Sequence, residues 1–427
     1  MHRKNNHSAQ IFQIHDYPKP NRPKPTLTRQ KLPRDMAHMN IESKLPNVGT
    51  TIFTVMSQLA TEHNAVNLGQ GFPDFNPDER LINLTTEAMK NGYNQYPPMA
   101  GIAPLRQAIS KKIFDLYQHR YSTDTEITVT AGATEALMIS IQALVKPGDE
   151  VIVIEPMYDL YVPAIELAGG RPVLVQMTVP KTPEESYRID WNKVENALTE
   201  KTRLLILNTP HNPTGMTLNA NDLNALENLL ERYPFYVLSD EVYEHIVFEN
   251  KPHLGMSSRP NLANRSVVVS SFGKTYHITG WKIGYCVAPL DLMKEIRKVH
   301  QFTVFTVTSP MQVALAKYAD DKATFNGLAS FYQEKRDYLE KGLASTKFVP
   351  YKSHSTFFLL ANYKNLSSEP ESTFAKKLTV ENGVTVIPLS AFYMNPESKA
   401  ANNHLVRFCF AKQRQTLDNA LARLAVL

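Results

Sequence analysis

The chain has 427 residues, 43% hydrophobic and 20% charged, the balance of a soluble globular protein with room for two domains and a large core. No apolar run approaches the ~18 residues that span a bilayer, and no Cys/His spacing suggests a metal site. The net charge of +5 is lopsided: residues 1–40 hold eight cations against two carboxylates, so the leader carries +6 and everything after it −1. A near-neutral body argues against nucleic acid as a partner.

The leader holds Pro18, Pro20, Pro23, Pro25 and Pro33 and little apolar periodicity, which predicts a disordered tail over residues 1–40. It lacks the continuous apolar core of a secretory signal, and its prolines spoil an amphipathic transit helix. From Glu126 to Ala288, strand-like and helix-like stretches alternate. Thr128–Thr130, Val151–Ile154, Pro172–Val175, Leu204–Leu207, Phe235–Leu238, Val267–Ser270 and Ile283–Ala288 read as strands. Ala136–Val145 and Asn221–Arg232 read as helices between them. This alternation predicts an α/β fold with a mostly parallel sheet and helices on both faces. From about Phe325 longer helices are expected (Phe325–Leu343, Glu371–Glu381, Arg414–Leu424) with short strands (Phe357–Ala361, Val384–Ile387, Leu405–Phe410), an α+β pattern. Cys286 and Cys409 lie in strand-like runs without a CxxC pair, which suits buried thiols in a reducing, cytoplasmic setting.

Three predicted strands end in polar motifs. After Ser266–Val269 comes Ser270-Ser271-Phe272-Gly273-Lys274, with a second cation at Lys282. A lysine at a strand end, beside hydroxyls able to grip a phosphate, suits an amine that forms a Schiff base with a cofactor aldehyde. Leu204–Leu207 runs into Asn208-Thr209-Pro210-His211-Asn212-Pro213-Thr214-Gly215, and Phe235–Leu238 into Ser239-Asp240-Glu241-Val242-Tyr243. Ligands of parallel α/β sheets gather at the carboxyl ends of the strands, so an amide, a carboxylate with a nearby phenol, and a lysine can converge on one ring. Ala131-Gly132-Ala133-Thr134 joins a strand to a helix, where backbone N–H groups can cradle an anion. Plainer readings stand beside these: Asp240 as a helix cap, Asn212 as a turn former, Lys274 as a surface lysine. No Walker loop or G-x-G-x-x-G follows a strand.

The order and spacing of these motifs, from about Leu45 to the C-terminus, resemble the fold-type I aminotransferases that use pyridoxal phosphate. Val66-Asn67-Leu68-Gly69-Gln70-Gly71-Phe72-Pro73-Asp74-Phe75, Thr279-Gly280-Trp281-Lys282 and Val406-Arg407-Phe408-Cys409-Phe410 resemble the group holding bacterial methionine aminotransferases and kynurenine/glutamine transaminase K. Ser43-Lys44-Leu45-Pro46, Gly49-Thr50-Thr51-Ile52-Phe53-Thr54 and Ser271-Phe272-Gly273-Lys274-Thr275-Tyr276-His277 look nearest to the bacterial methionine enzymes. The resemblance implies a large cofactor-binding domain over residues 76–315, a smaller α+β domain over 316–427, and a segment 41–75 packed with the latter.

For the site, it implies Lys274 as the residue that bonds the cofactor and moves the substrate proton. Asp240 would meet the pyridine nitrogen, Tyr243 and Asn212 the phenolic oxygen, and Tyr158 the ring face. Ala133, Thr134, Ser271 and Lys282 would hold the phosphate, with Tyr96 reaching it from a neighbouring subunit of a homodimer. Many relatives have arginine where Lys282 stands, so a point charge replaces a bidentate fork. Arg407 and Asn212 would take the substrate α-carboxylate under a loop containing Asn67 and Gly71. An arginine amid apolar strand residues needs a partner, either this carboxylate or a structural salt bridge.

Phe53 and Phe305 would wall the side-chain pocket, and Gln301–Val307 holds no cation for a second carboxylate. The implied reaction is transamination between an apolar amino acid and a 2-oxo acid, with methionine foremost and aromatic amino acids, leucine, glutamine or kynurenine behind it. Cysteine-S-conjugate β-lyase activity is the rival on the same scaffold, because one carbanion serves both reactions. A transcriptional regulator built on this fold places a winged-helix domain ahead of it, and a 40-residue proline-rich leader is too short for that. The family-like sequence begins near Ser43, with Met36 and Met39 just upstream. Deleting residues 1–35 is therefore expected to leave activity and thermal stability within error, and a large loss of either would show that the tail packs or functions.

Overall fold

Alternating apolar residues along the central strands bury into two different layers. Ile152, Ile154, Leu205, Leu207, Val237 and Val268 join one core, whereas Val151, Val153, Leu204, Ile206, Leu238 and Val267 join another with the helix Gly132–Leu144. Strands buried on both faces read as continuous hydrophobic runs, which makes them visible in the sequence. The computed structural model describes residues 41–427; the leader, with its expected disorder and the methionines Met36 and Met39, lies outside the described residues.

Lys44–Leu427 form one unit. Its seven-stranded sheet runs in the spatial order Ile127–Thr130, Gly284–Val287, Ser266–Ser271, Tyr236–Asp240, Thr202–Asn208, Glu150–Glu155, Arg171–Gln176. All neighbours are parallel except Gly284–Val287, which is antiparallel to both of its own. The register pairs Asn208 with Asp240 and Asp240 with Val269, two residues before Ser271. The polar strand ends therefore come out at one level. Helix Ala220–Arg232 shows how the outer layer is specified: Asn219 and Asp222 form a reciprocal capping box, and Leu223, Leu226, Leu229 and Leu230 bury one stripe.

A four-stranded antiparallel sheet orders Ile387–Pro388, Leu405–Cys409, Phe358–Asn362 and Val349–Pro350. A two-stranded parallel pair joins Val66–Asn67 to Val384–Thr385. Two expectations are corrected. The single helix expected over Phe325–Leu343 is two helices, Ala323–Asn326 and Leu328–Ala344, divided at Gly327, where the absent side chain makes helix continuation costly. The strand expected over Val384–Ile387 changes partners midway: Val384 pairs with Val66, but Ile387 pairs with Arg407. A period-two pattern reports the exposure of a strand and not its partner. Among the described residues, no helix is long and apolar enough to cross a membrane.

Candidate active site

Asp240 is the last residue of its strand, and its carboxylate is held from two sides. Tyr161 donates its hydroxyl to Oδ2 at 2.8 Å, and the Val242 N–H faces Oδ1 at 3.4 Å. Burial pushes the Asp240 carboxyl up to about 6. Asn208 ends the adjacent strand, donating to the Asp240 carbonyl at 2.9 Å and accepting the Asn212 N–H at 2.8 Å. That amide fixes the loop carrying Asn212.

On the next strand Ser271 caps a one-turn helix, Phe272–Thr275, by accepting the Gly273 N–H at 3.1 Å. Lys274 lies in this turn rather than in an open loop. Its Nζ donates to the Gly71 carbonyl at 3.2 Å and sits 5.4 Å and 5.7 Å from the ring centres of Phe357 and Tyr243. Burial among these rings lowers the amine to about 8, because removing water penalises the ammonium form.

One part of the cavity offers a helix N-terminus beside a lysine, a setting suited to an anion. The helix Gly132–Leu144 starts there, and Lys282 directs Nζ to Thr134 Oγ1 at 3.2 Å. Gly132 has φ +73°, and a Cβ on it would come within 3.3 Å of Lys282 Nζ, inside the cradle. Tyr158 also lines the cavity, its phenol pushed up to about 12 by burial.

Another part of the lining presents a buried guanidinium. Arg407 points from the four-stranded sheet, donating Nη1 to Asn212 Oδ1 at 2.6 Å and Nη2 to the Gly69 carbonyl at 2.9 Å. Its guanidinium carbon lies 3.8 Å from the Phe358 ring centre, 4.9 Å from Phe392 and 5.4 Å from Phe53. Burial lowers it to about 10, Nε has no partner, and no ion pair neutralises it among the described residues. A cation so placed, with neutral acceptors only, is suited to a carboxylate ligand. The expected loop lies over it: Asn67 Oδ1 accepts the N–H groups of Gly69 and Gln70 at 2.9 and 3.2 Å. Gly71 is required by packing, since a Cβ would sit 2.7 Å from Phe358 Cζ.

These groups enclose a cavity of about 380 Å³. Of the fifteen residues singled out in the sequence, twelve line it, so the strand-end motifs do converge; Asn67 serves the loop backbone instead, and Tyr96 and Phe305 lie elsewhere. Those two form an edge-to-face pair at 5.7 Å on an exposed face, Tyr96 being 86% exposed. Phe305 follows the helix Leu290–Thr303 at φ +69°, which turns its ring outward beside Tyr96 rather than into the pocket of its own chain. Sequence reasoning missed Tyr161, Asn208, Phe72 and Phe358. Asn208 opens the strand-end motif and was within reach, but Tyr161 and Phe358 acquire their roles only through packing against Asp240 and Arg407. The arrangement can hold a planar ring between an acid and an amine, an anionic group at one end, and a substrate carboxylate at the other.

The family model for class I and II aminotransferases matches residues 63–424. The chain is 46% identical to the methionine aminotransferase of Escherichia coli (strain K12) over 387 residues, covering 90% of this chain and 98% of that protein. It is 34% identical to kynurenine–oxoglutarate transaminase 3 of Homo sapiens, covering 88% of each. The crystal structure of an Escherichia coli protein whose reactivity identified a methionine aminotransferase function superposes with a TM-score of 0.87 at 45% identity, over 91% of this chain and all of that one. N-succinyldiaminopimelate aminotransferase from Mycobacterium tuberculosis gives 0.86 at 39% identity, again over 91% of this chain and all of that one.

Proposed function

The chain belongs to the class I and II aminotransferases and has their fold-type I architecture, and from that premise we infer that it uses pyridoxal phosphate to move an amino group from methionine or a similar apolar amino acid to a 2-oxo acid. The observation that carries this reading is a pair of cations, part-buried Lys274 and fully buried Arg407, lining one cavity together with Asp240. The donor set fits the cofactor. Ala133, Thr134, Ser271 and Lys282 would hold its phosphate, Asp240 its ring nitrogen, Tyr243 and Asn212 its phenolic oxygen, and Tyr158 its ring face. When bound, the cofactor supplies an electrophilic carbon and an electron sink for the bond broken at the substrate α-carbon.

The chain's own residues do the rest. Arg407 takes the α-carboxylate as a fork, aligning the α-carbon with the Lys274 amine. Lys274, once free, accepts and returns the α-proton, a role that suits an amine whose buried value lies near 8. Tyr161 keeps the Asp240 carboxylate aimed along one direction. Phe53, Phe358 and Phe392 exclude water around Arg407. The exposed Tyr96–Phe305 face suits a homodimer in which a second copy brings its Tyr96 to the phosphate end. Methionine is favoured by the 46% identity to a methionine aminotransferase and by the aromatic residues of the lining.

The cofactor assignment has a direct test. Apoprotein mixed with pyridoxal phosphate and then reduced with borohydride should carry the label on Lys274 in a peptide mass map. Capture should quicken as pH rises through about 8, because the amine attacks only after losing its proton. A label on another lysine, or none in a folded preparation, rejects the assignment.

A further inference from the structure

Behind the anion-binding turn lies a buried pair with no part in the chemistry above. Glu135 stands in the first turn of the helix Gly132–Leu144, and its Oε2 accepts the Ala131 N–H at 2.5 Å. Its Oε1 lies 2.5 Å from Nδ1 of His300, a fully buried residue near the end of the helix Leu290–Thr303. Nε2 of the same ring lies 3.0 Å from the Met99 carbonyl.

Those three contacts constrain the protons. A carbonyl oxygen only accepts, so Nε2 carries a hydrogen, and the contact between Nδ1 and a carboxylate oxygen requires one more proton between them. Whichever atom holds that proton, the pair has no net charge. The balance matters at this position. An uncompensated carboxylate in the first helical turn would compete for the positive helix end and repel a phosphate bound there.

We propose that Glu135 and His300 are positioning residues: Glu135 fixes the anion-binding turn through the Ala131 N–H, and His300 cancels the carboxylate's charge so that the turn accepts a phosphate. The pair acts through the turn and touches no substrate. The inference rests on the assignment of the cofactor phosphate to that turn.

The test compares dissociation constants of pyridoxal phosphate and of pyridoxal, which lacks the phosphate, for apoprotein variants. His300→Leu is expected to weaken pyridoxal phosphate at least tenfold while changing pyridoxal less than twofold. Glu135→Gln keeps all three hydrogen bonds without charge, because its amide can accept from Ala131 and donate to a neutral His300 ring. It should stay within threefold of the unmodified protein. Adding Glu135→Gln to His300→Leu should restore most of the lost affinity, a rescue that a purely packing role for His300 would not produce. If His300→Leu does not fold, His300→Gln serves with the same expectations, since it offers a donor but no compensating charge. Equal pyridoxal phosphate affinity in all variants, or a double variant no tighter than the single one, overturns the proposal alone. Absence of pyridoxal phosphate binding in the unmodified protein overturns the cofactor reading with it.

Discussion

Replacing Lys274 with alanine is expected to lower turnover by at least about 10⁴-fold, since a positioned general base alone contributes about 10²–10⁴ and the covalent role adds to it. The fold should survive. Among the described residues the side chain makes one hydrogen bond, to the Gly71 carbonyl, and otherwise lies against Phe357 and Tyr243. Its removal takes a poorly solvated cation out of the interior and leaves no buried carboxylate stripped of a salt bridge, because Asp240 keeps its bonds from Tyr161 and Val242. Thermal melting and near-ultraviolet circular dichroism should therefore remain near those of the unmodified protein while single-turnover rates collapse. Turnover within about tenfold of the original would remove Lys274 from the chemistry.

Methionine is expected to exceed aspartate as amino donor by at least about a hundredfold in kcat/KM, equivalent to roughly 2.7 kcal/mol. Three cations line the cavity among the described residues, Lys282, Lys274 and Arg407, and the proposed function engages all three, at the phosphate, the reacting centre and the α-carboxylate. None is left for a second carboxylate. The lining that this reading leaves for the substrate side chain includes Phe53 and Phe72, with Gln70 as a neutral polar residue. Moving aspartate's distal carboxylate there leaves a charge unpaired, which costs several kcal/mol. One methylene more or less changes binding by about 1–3 kcal/mol, so leucine and phenylalanine should be accepted to a graded extent. A matrix of amino donors against 2-oxo acids measures this directly. Comparable values for methionine and aspartate would reject the pocket assignment and leave the transaminase chemistry standing.

The sequence by itself determined the central sheet and the chemistry offered at its strand ends. Runs such as Leu204–Leu207 and Val267–Ser270 are apolar almost throughout because both faces of the sheet are covered, and the first polar residue in or after each marks where the strand leaves the core. Lys274, Asp240 and Asn212 are legible for that reason: each stands within a few residues of a boundary that hydrophobicity alone draws. The reach of the helix Phe325–Leu343 is not legible, because Gly327 breaks it within a continuing apolar pattern, nor is the pairing of Val384–Ile387, because partners leave no periodic signal. Only the tertiary structure decided that Arg407 meets Asn212 across 195 positions, that Tyr161 orients Asp240 across 79, and that Gly71 must be glycine to clear Phe358. It likewise decided that Tyr96 and Phe305 face outward together and that Glu135 meets His300 across 165 positions. Such contacts depend on how distant elements come to lie side by side. Local sequence records the burial of each residue, while the identity of its neighbour emerges only when the whole core closes.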